Sequence, residues 1–197
     1  MLVRTVAPAE LVLTIDELIS HLNADGATES QRADMMAYLR SAVAQLDGDM
    51  GLLNRALVTQ TWQLKRDGFP SCGYFDLPLP PLQSVTSITY LDSNGDSQTL
   101  ATSTYRVLNA NDAMNRGRIE LAYGESWPST YSVQQAVTVT FIAGYGDRNA
   151  VPHHTRHLIL FAVKEAYDHR APVDAQTMMR SPAYEGLFNI ARFPSFG

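Results

Sequence analysis

Cysteine is almost missing from this 197-residue sequence: Cys72 is the only one. A single thiol can close no intrachain disulfide and build no thiolate metal cluster. Long apolar runs are missing as well. No stretch of about 18 apolar residues could span a bilayer, and the opening "MLVRTVAPAELVLT" lacks the apolar core and small-residue cleavage site of a secretory signal. The expectation is a soluble protein made in the cytoplasm, with no membrane partner. An excess of positive charge is also lacking. Fifteen Lys and Arg face twenty Asp and Glu, a net charge of -5, which excludes a protein whose affinity comes from neutralising phosphates. Two catalytic signatures are absent: there is no G-x-S-x-G elbow, and "GYGD" lacks the third glycine and the lysine of a phosphate loop.

The residues that are present fall into two periods. Near the start, "LTIDEL" carries a capping box, Thr14 with Glu17, and Leu13 can staple onto Leu18 across it, so a short helix is predicted from Ile15 to Asn23. Gly26 breaks it, and "TESQ" supplies a second box through Thr28 and Gln31. From there Met36, Leu39, Val43, Leu46 and Met50 recur at intervals of three and four, a narrow apolar seam along one helix. Such a seam packs inside its own core or pairs with a helix of a neighbouring subunit.

The period then changes to two. "VTQTWQLK" alternates Val58, Gln60, Trp62 and Leu64 with Thr59, Thr61, Gln63 and Lys65, and "YFDL", "SVTSITYL", "DSQTL", "TYRVL", "GRIELAY" and "AVTVTFIAGY" read alike. Seven short strands with frequent turn signals suggest a small antiparallel barrel or sandwich. Pro78, Pro80 and Pro81 cannot donate ladder hydrogen bonds, so they end one strand and hold the chain extended before the next. Asn94-Gly95 is expected to supply the two positive φ angles of a tight hairpin.

The helical period returns at Pro152, with Leu158, Phe161, Ala162, Glu165 and Ala166 spaced along a helix that runs to Arg170 and stops at Pro172. The fold class read from this order is α+β. A small helical bundle, residues 1–56 and 150–171, holds an antiparallel β-domain, 57–149, inserted between its second and third helices, and an extended tail, 172–197, follows. That tail has three prolines yet is rich in large apolar side chains, so it either packs on its own domain or orders against a partner.

Taken in order, "LTIDELISHL", "LVTQTW", "LPLPPLQSVTSITYLDSNG", a "Y-R-V" strand, "GRIEL", "WP", "VTVTFIAGYG", "VP" and a helix ending "YDHR" resemble the head-tail connector (adaptor) proteins of long-tailed bacteriophages and gene transfer agents. The resemblance runs from about Leu13 to Arg170. It implies a non-enzymatic virion component at the head-tail junction, assembled in a host bacterial cytoplasm, with no cofactor. Its partners would be a portal protein, further copies of itself in a ring that is twelvefold by that resemblance, and the next neck or tail protein. Double-stranded DNA would pass through the ring without specific binding. The tail residues Tyr184, Leu187, Phe188, Ile190, Phe193 and Phe196 would then meet the portal, and Met36, Leu39, Val43, Asn94 and Gly95 would meet neighbouring subunits.

Two other classes compete. In "HHTRH", His153 and His157 are four apart, as two imidazoles on one metal would be, but position 154 holds His where a zinc protease needs Glu, and no third ligand follows at a recognisable spacing. A β-sandwich ligand-binding module would use exposed aromatics such as Trp127 or Tyr131. The reading adopted is a connector with neither catalytic nor metal residues.

Overall fold

The computed structural model describes residues 1–170 and 181–193. Its elements run β1 (Leu2–Val6), α1 (Ile15–Leu22), α2 (Glu29–Leu46), β2 (Gln60–Arg66), β3 (Tyr74–Asp76), β4 (Leu82–Leu91), β5 (Ser97–Thr99), β6 (Tyr105–Leu108), β7 (Arg118–Leu121), β8 (Val137–Ala143), α3 (His153–His169) and α4 (Pro182–Ala191). The chain divides into two compact units. One joins residues 1–9 to 59–145, and the other joins residues 10–58 to those from 146 onward. A sheet unit therefore interrupts a helical one, as the sequence predicts. Among the described residues no helix is long and apolar enough to cross a membrane.

The sheet unit contains two antiparallel sheets, of order β1-β2-β8-β4-β5 and β3-β7-β6. Strand β8 is central because its alternation is complete: Val137, Val139, Phe141 and Ala143 are buried while the residues between them are half-buried. It pairs with β2 through Trp62↔Phe141 and with β4 through Ile88↔Val139. An aromatic cluster bridges the two sheets, with Phe69 stacked on Trp127 at 4.8 Å and these rings reaching Tyr90 of β4 and Phe75 of β3.

All seven predicted strands are present, and an eighth was not foreseen. Residues 2–6 pair with β2, so the first nine residues belong to the sheet unit rather than to the helical one. "LVRTV" is too short, and alternates too weakly, to be told from a loop by its pattern. The β4–β5 hairpin also corrects an expectation. Gly95 has φ +90, whereas Asn94 is not in the left-handed region. The Asp92 carboxylate accepts the backbone N–H groups of Asn94 and Asp96, which fixes a three-residue loop closed by one left-handed glycine in place of the tighter two-residue turn.

In the helical unit both capping boxes form. Thr14 accepts from the Glu17 N–H and Thr28 from the Gln31 N–H, each with the reciprocal bond. Asn23, in the left-handed region, ends α1. On α2 the buried residues are Met35, Leu39, Ala42 and Leu46, one position off the predicted seam at two places. Met36 and Val43 are half-buried on its flank, and Met50 lies beyond the helix end, 91% exposed. The helix stops because Asp47 leaves helical geometry and turns its carboxylate to the Leu57 N–H at 2.8 Å. Helix α3 packs against both α2 and α4.

The extended tail is corrected in part. Pro182 sits in the first turn of α4, where its missing N–H is no loss, and the ten-residue helix buries Tyr184, Phe188 and Ala191. Tyr184 meets Phe161 of α3 with ring centroids 5.6 Å apart. Phe193, also buried, follows the helix, and Phe196 lies outside the described residues.

Candidate functional site

Two polar clasps hold the helical unit together. In the first, buried Arg156 on α3 donates to the carbonyls of Val12 (2.9 Å) and Arg148 (2.6 Å) and to the Glu17 carboxylate. Glu17 is the acidic member of the α1 capping box and also accepts the Thr14 N–H at 2.7 Å, so one carboxylate joins the start of α1 to α3. Beside it Glu10 accepts from the backbone and guanidinium of Arg148, and those hydrogen bonds lower its carboxyl pKa.

The second clasp secures α4. Buried Arg55 donates to the Ala191 carbonyl at 2.8 Å and lies over the Phe193 ring, while the Phe193 N–H reaches the Leu53 carbonyl at 2.9 Å. Burial, and then the nearby Arg55 charge, hold His154 below the usual histidine range. The Tyr184 hydroxyl is buried with no hydrogen-bond partner among the described residues, and burial pushes its pKa up to about 12.

Neither clasp has the makings of a reaction centre, because every charged group named is spent on a backbone carbonyl, a cap or an ion pair. His153 and His157 are exposed at the start of α3. Among the described residues no group of three or more His, Cys, Asp and Glu side chains is placed to hold a metal. Trp127 is taken up by packing, stacked on Phe69 and donating from Nε1 to the Cys72 carbonyl at 3.0 Å, and Tyr131 is exposed. A cleft of about 480 Å³ between the start of α2 and the end of α3 is lined by Gln31, Asp34, Tyr38, Tyr167, Asp168 and Arg170. Its charged lining is two carboxylates, Asp34 and Asp168, and one guanidinium, Arg170.

The accessible faces carry the remaining information. Of the residues expected at subunit contacts, Leu39 is fully buried in its own unit, Met36 and Val43 are half-buried, and Asn94 and Gly95 are exposed at the hairpin tip. Of those expected at a portal, Tyr184, Phe188 and Phe193 are committed to the helical unit's own core, a correction that follows from α4 folding back. Leu187 is half-buried and Ile190 is 65% exposed. Sequence reading missed the solvent side of α2, where Ala33, Ala37, Arg40 and Ala44 are all exposed. The seam drew attention to the opposite side of that helix.

With this geometry in hand, the whole chain can be superposed on known folds. It aligns over 100% of its length with 97% of a chain in the virion of a native gene transfer agent (GTA) particle, at a TM-score of 0.79 and 24% identity. It shares that chain's fold. Two neck structures give similar results: the neck of an empty GTA particle computed with C6 symmetry (TM-score 0.78, 23% identity) and that of a native GTA particle computed with C12 symmetry (0.76, 23%). Each again covers 100% of this chain and 97% of the other. No family model and no curated protein matches the sequence.

Proposed function

We propose that this protein is a structural head-tail connector, a subunit of a ring at the particle neck that extends the DNA channel and presents a platform to the next neck or tail protein. The observation that carries the reading is the end-to-end agreement of the fold with a chain of a GTA particle. A ring works by geometry. One head-to-tail contact, repeated until the circle closes, makes weak pairwise bonds collectively strong. The C12 symmetry of a neck with the same fold supports twelve copies. The net charge of -5 suits a conduit, since a wall that bound phosphates tightly would retard the DNA.

On this reading the ring is assembled in a bacterial cytoplasm and sits against a portal protein. Because Tyr184, Phe188 and Phe193 serve the fold, portal attachment falls to the chain beyond α4, where Phe196 lies, while Leu187 and Ile190 remain accessible to an intermolecular contact. Electron microscopy of the purified protein mixed with its portal tests the proposal. Rings stacked coaxially on the portal are expected, and a mixture in which portal and protein stay separate would contradict it.

A further inference from the structure

Helices α2 and α4 both pack on α3, chiefly on it rather than on each other, so each flanks α3 in a helical layer that α1 joins against α2 and α3. Both helices present faces that nothing among the described residues covers. On α2, taking about 100° per residue, Glu29, Ala33, Ala37 and Ala44 all lie within about 60° of Arg40, and all five are exposed. Three alanines leave the backbone open to close approach, and among the described residues the Arg40 guanidinium has no hydrogen bond or ion pair.

On α4 the outer face centres on Gly186. A glycine inside a helix is disfavoured relative to alanine, so its presence needs a reason. None is found among the described residues, where a Cβ built there meets nothing within 4 Å. Ile190, one turn on, is 65% exposed. Glu185 and Arg192, the latter the C-cap of α4 with its guanidinium over the Phe188 ring, stand on one edge of this face, about 20° apart around the axis, and the Glu185 carboxylate has no hydrogen bond or ion pair among the described residues.

We propose that the outer face of α4 in one copy packs on the outer face of α2 in the next, so that the helical layer continues from subunit to subunit. Glu29 precedes Arg40 along α2, and Glu185 precedes Arg192 along α4 and its C-cap, and antiparallel packing therefore sets Arg40 against Glu185 and Glu29 against Arg192 of the neighbour. The two pairs are spaced about 16 Å along α2 and about 10 Å along α4, a mismatch that long side chains span. Gly186 then has its reason, as the point where the two backbones come closest. A ten-residue helix is only about 15 Å long and offers too little area for a stable pair on its own. The contact suits a closed ring, where it repeats. The two faces are different and lie on different helices, which generates a head-to-tail series rather than a symmetric dimer.

This inference rests on the ring reading, and its test separates the two. Sedimentation velocity over a concentration series would compare the wild type with Arg40→Glu, Glu185→Arg and Gly186→Phe. All three sites are exposed, so melting temperatures should stay within a few degrees of the wild-type value, Glu185→Arg losing a little because Glu185 lies in the first turn of α4, while each variant weakens assembly beyond a dimer by at least about tenfold. An equimolar mixture of Arg40→Glu and Glu185→Arg copies should recover assembly, because alternating subunits restore every charge pair. Rings of undiminished stability from all three variants, or a mixture no better than its components, would overturn the contact and leave the connector reading standing. A wild-type protein that never passes a dimer at any concentration would overturn the contact, while the connector reading is decided by assembly on the portal.

Discussion

At Arg156 a single guanidinium satisfies two carbonyls and a carboxylate, linking α3 to the cap of α1. Removing it leaves those acceptors without their donor, so Arg156→Met should cost about 2–4 kcal/mol in urea unfolding. Tyr184 offers the opposite case. Its hydroxyl is buried without a partner among the described residues, and Tyr184→Phe should be neutral or stabilise by up to about 1 kcal/mol. His154 sets a pH dependence. Its pKa is depressed in the folded state, chiefly by burial and then by Arg55, so its contribution is complete above the unfolded histidine pKa of about 6.5 and is lost as pH falls through the depressed value. The urea midpoint should drop between pH 8 and pH 5, and His154→Gln should drop less. These details were only half legible in sequence. The Thr14–Glu17 box can be read at a spacing of three, whereas the Arg156–Glu17 pair spans 139 residues and has no local signature.

Elements were easier to read than their edges. The seven strands and three helices announced themselves because period and punctuation agree, as in "VTVTFIA", whose four buried positions alternate without exception. Strand β1 escaped because five residues give too few alternations, and the α2 seam was displaced because Met36 and Val43 satisfy a three-four spacing as well as Met35 and Ala42 do. The tail was misjudged for another reason. Prolines at 172 and 182 bar one continuous helix, yet Pro182 opens a short one, and only tertiary packing against Phe161 decides that α4 folds back. The β4–β5 hairpin depends on a single left-handed residue, so Gly95→Ala should cost about 1–2 kcal/mol. In a chain of this size that corresponds to a loss of several degrees in melting temperature. Calorimetry would show it, and an unchanged melting point would mean that the loop re-forms around alanine.

For the whole molecule, the α+β order and the inserted sheet unit were available from the sequence, since composition and periodicity change together near residues 58 and 146. What the assembly requires was less visible. Exposed alanines and a glycine with open space around it look like nothing in a linear reading, and acquire meaning only once the helical layer shows which faces stay uncovered. The connector reading makes one demand that no isolated-protein experiment replaces. Electron microscopy of particles produced with and without this chain, counting heads joined to tails, tests it directly. The account predicts that loss of the chain leaves DNA-filled heads and free tails in separate populations, rejoined when the chain is supplied. Tailed particles in normal numbers without it would contradict the proposal.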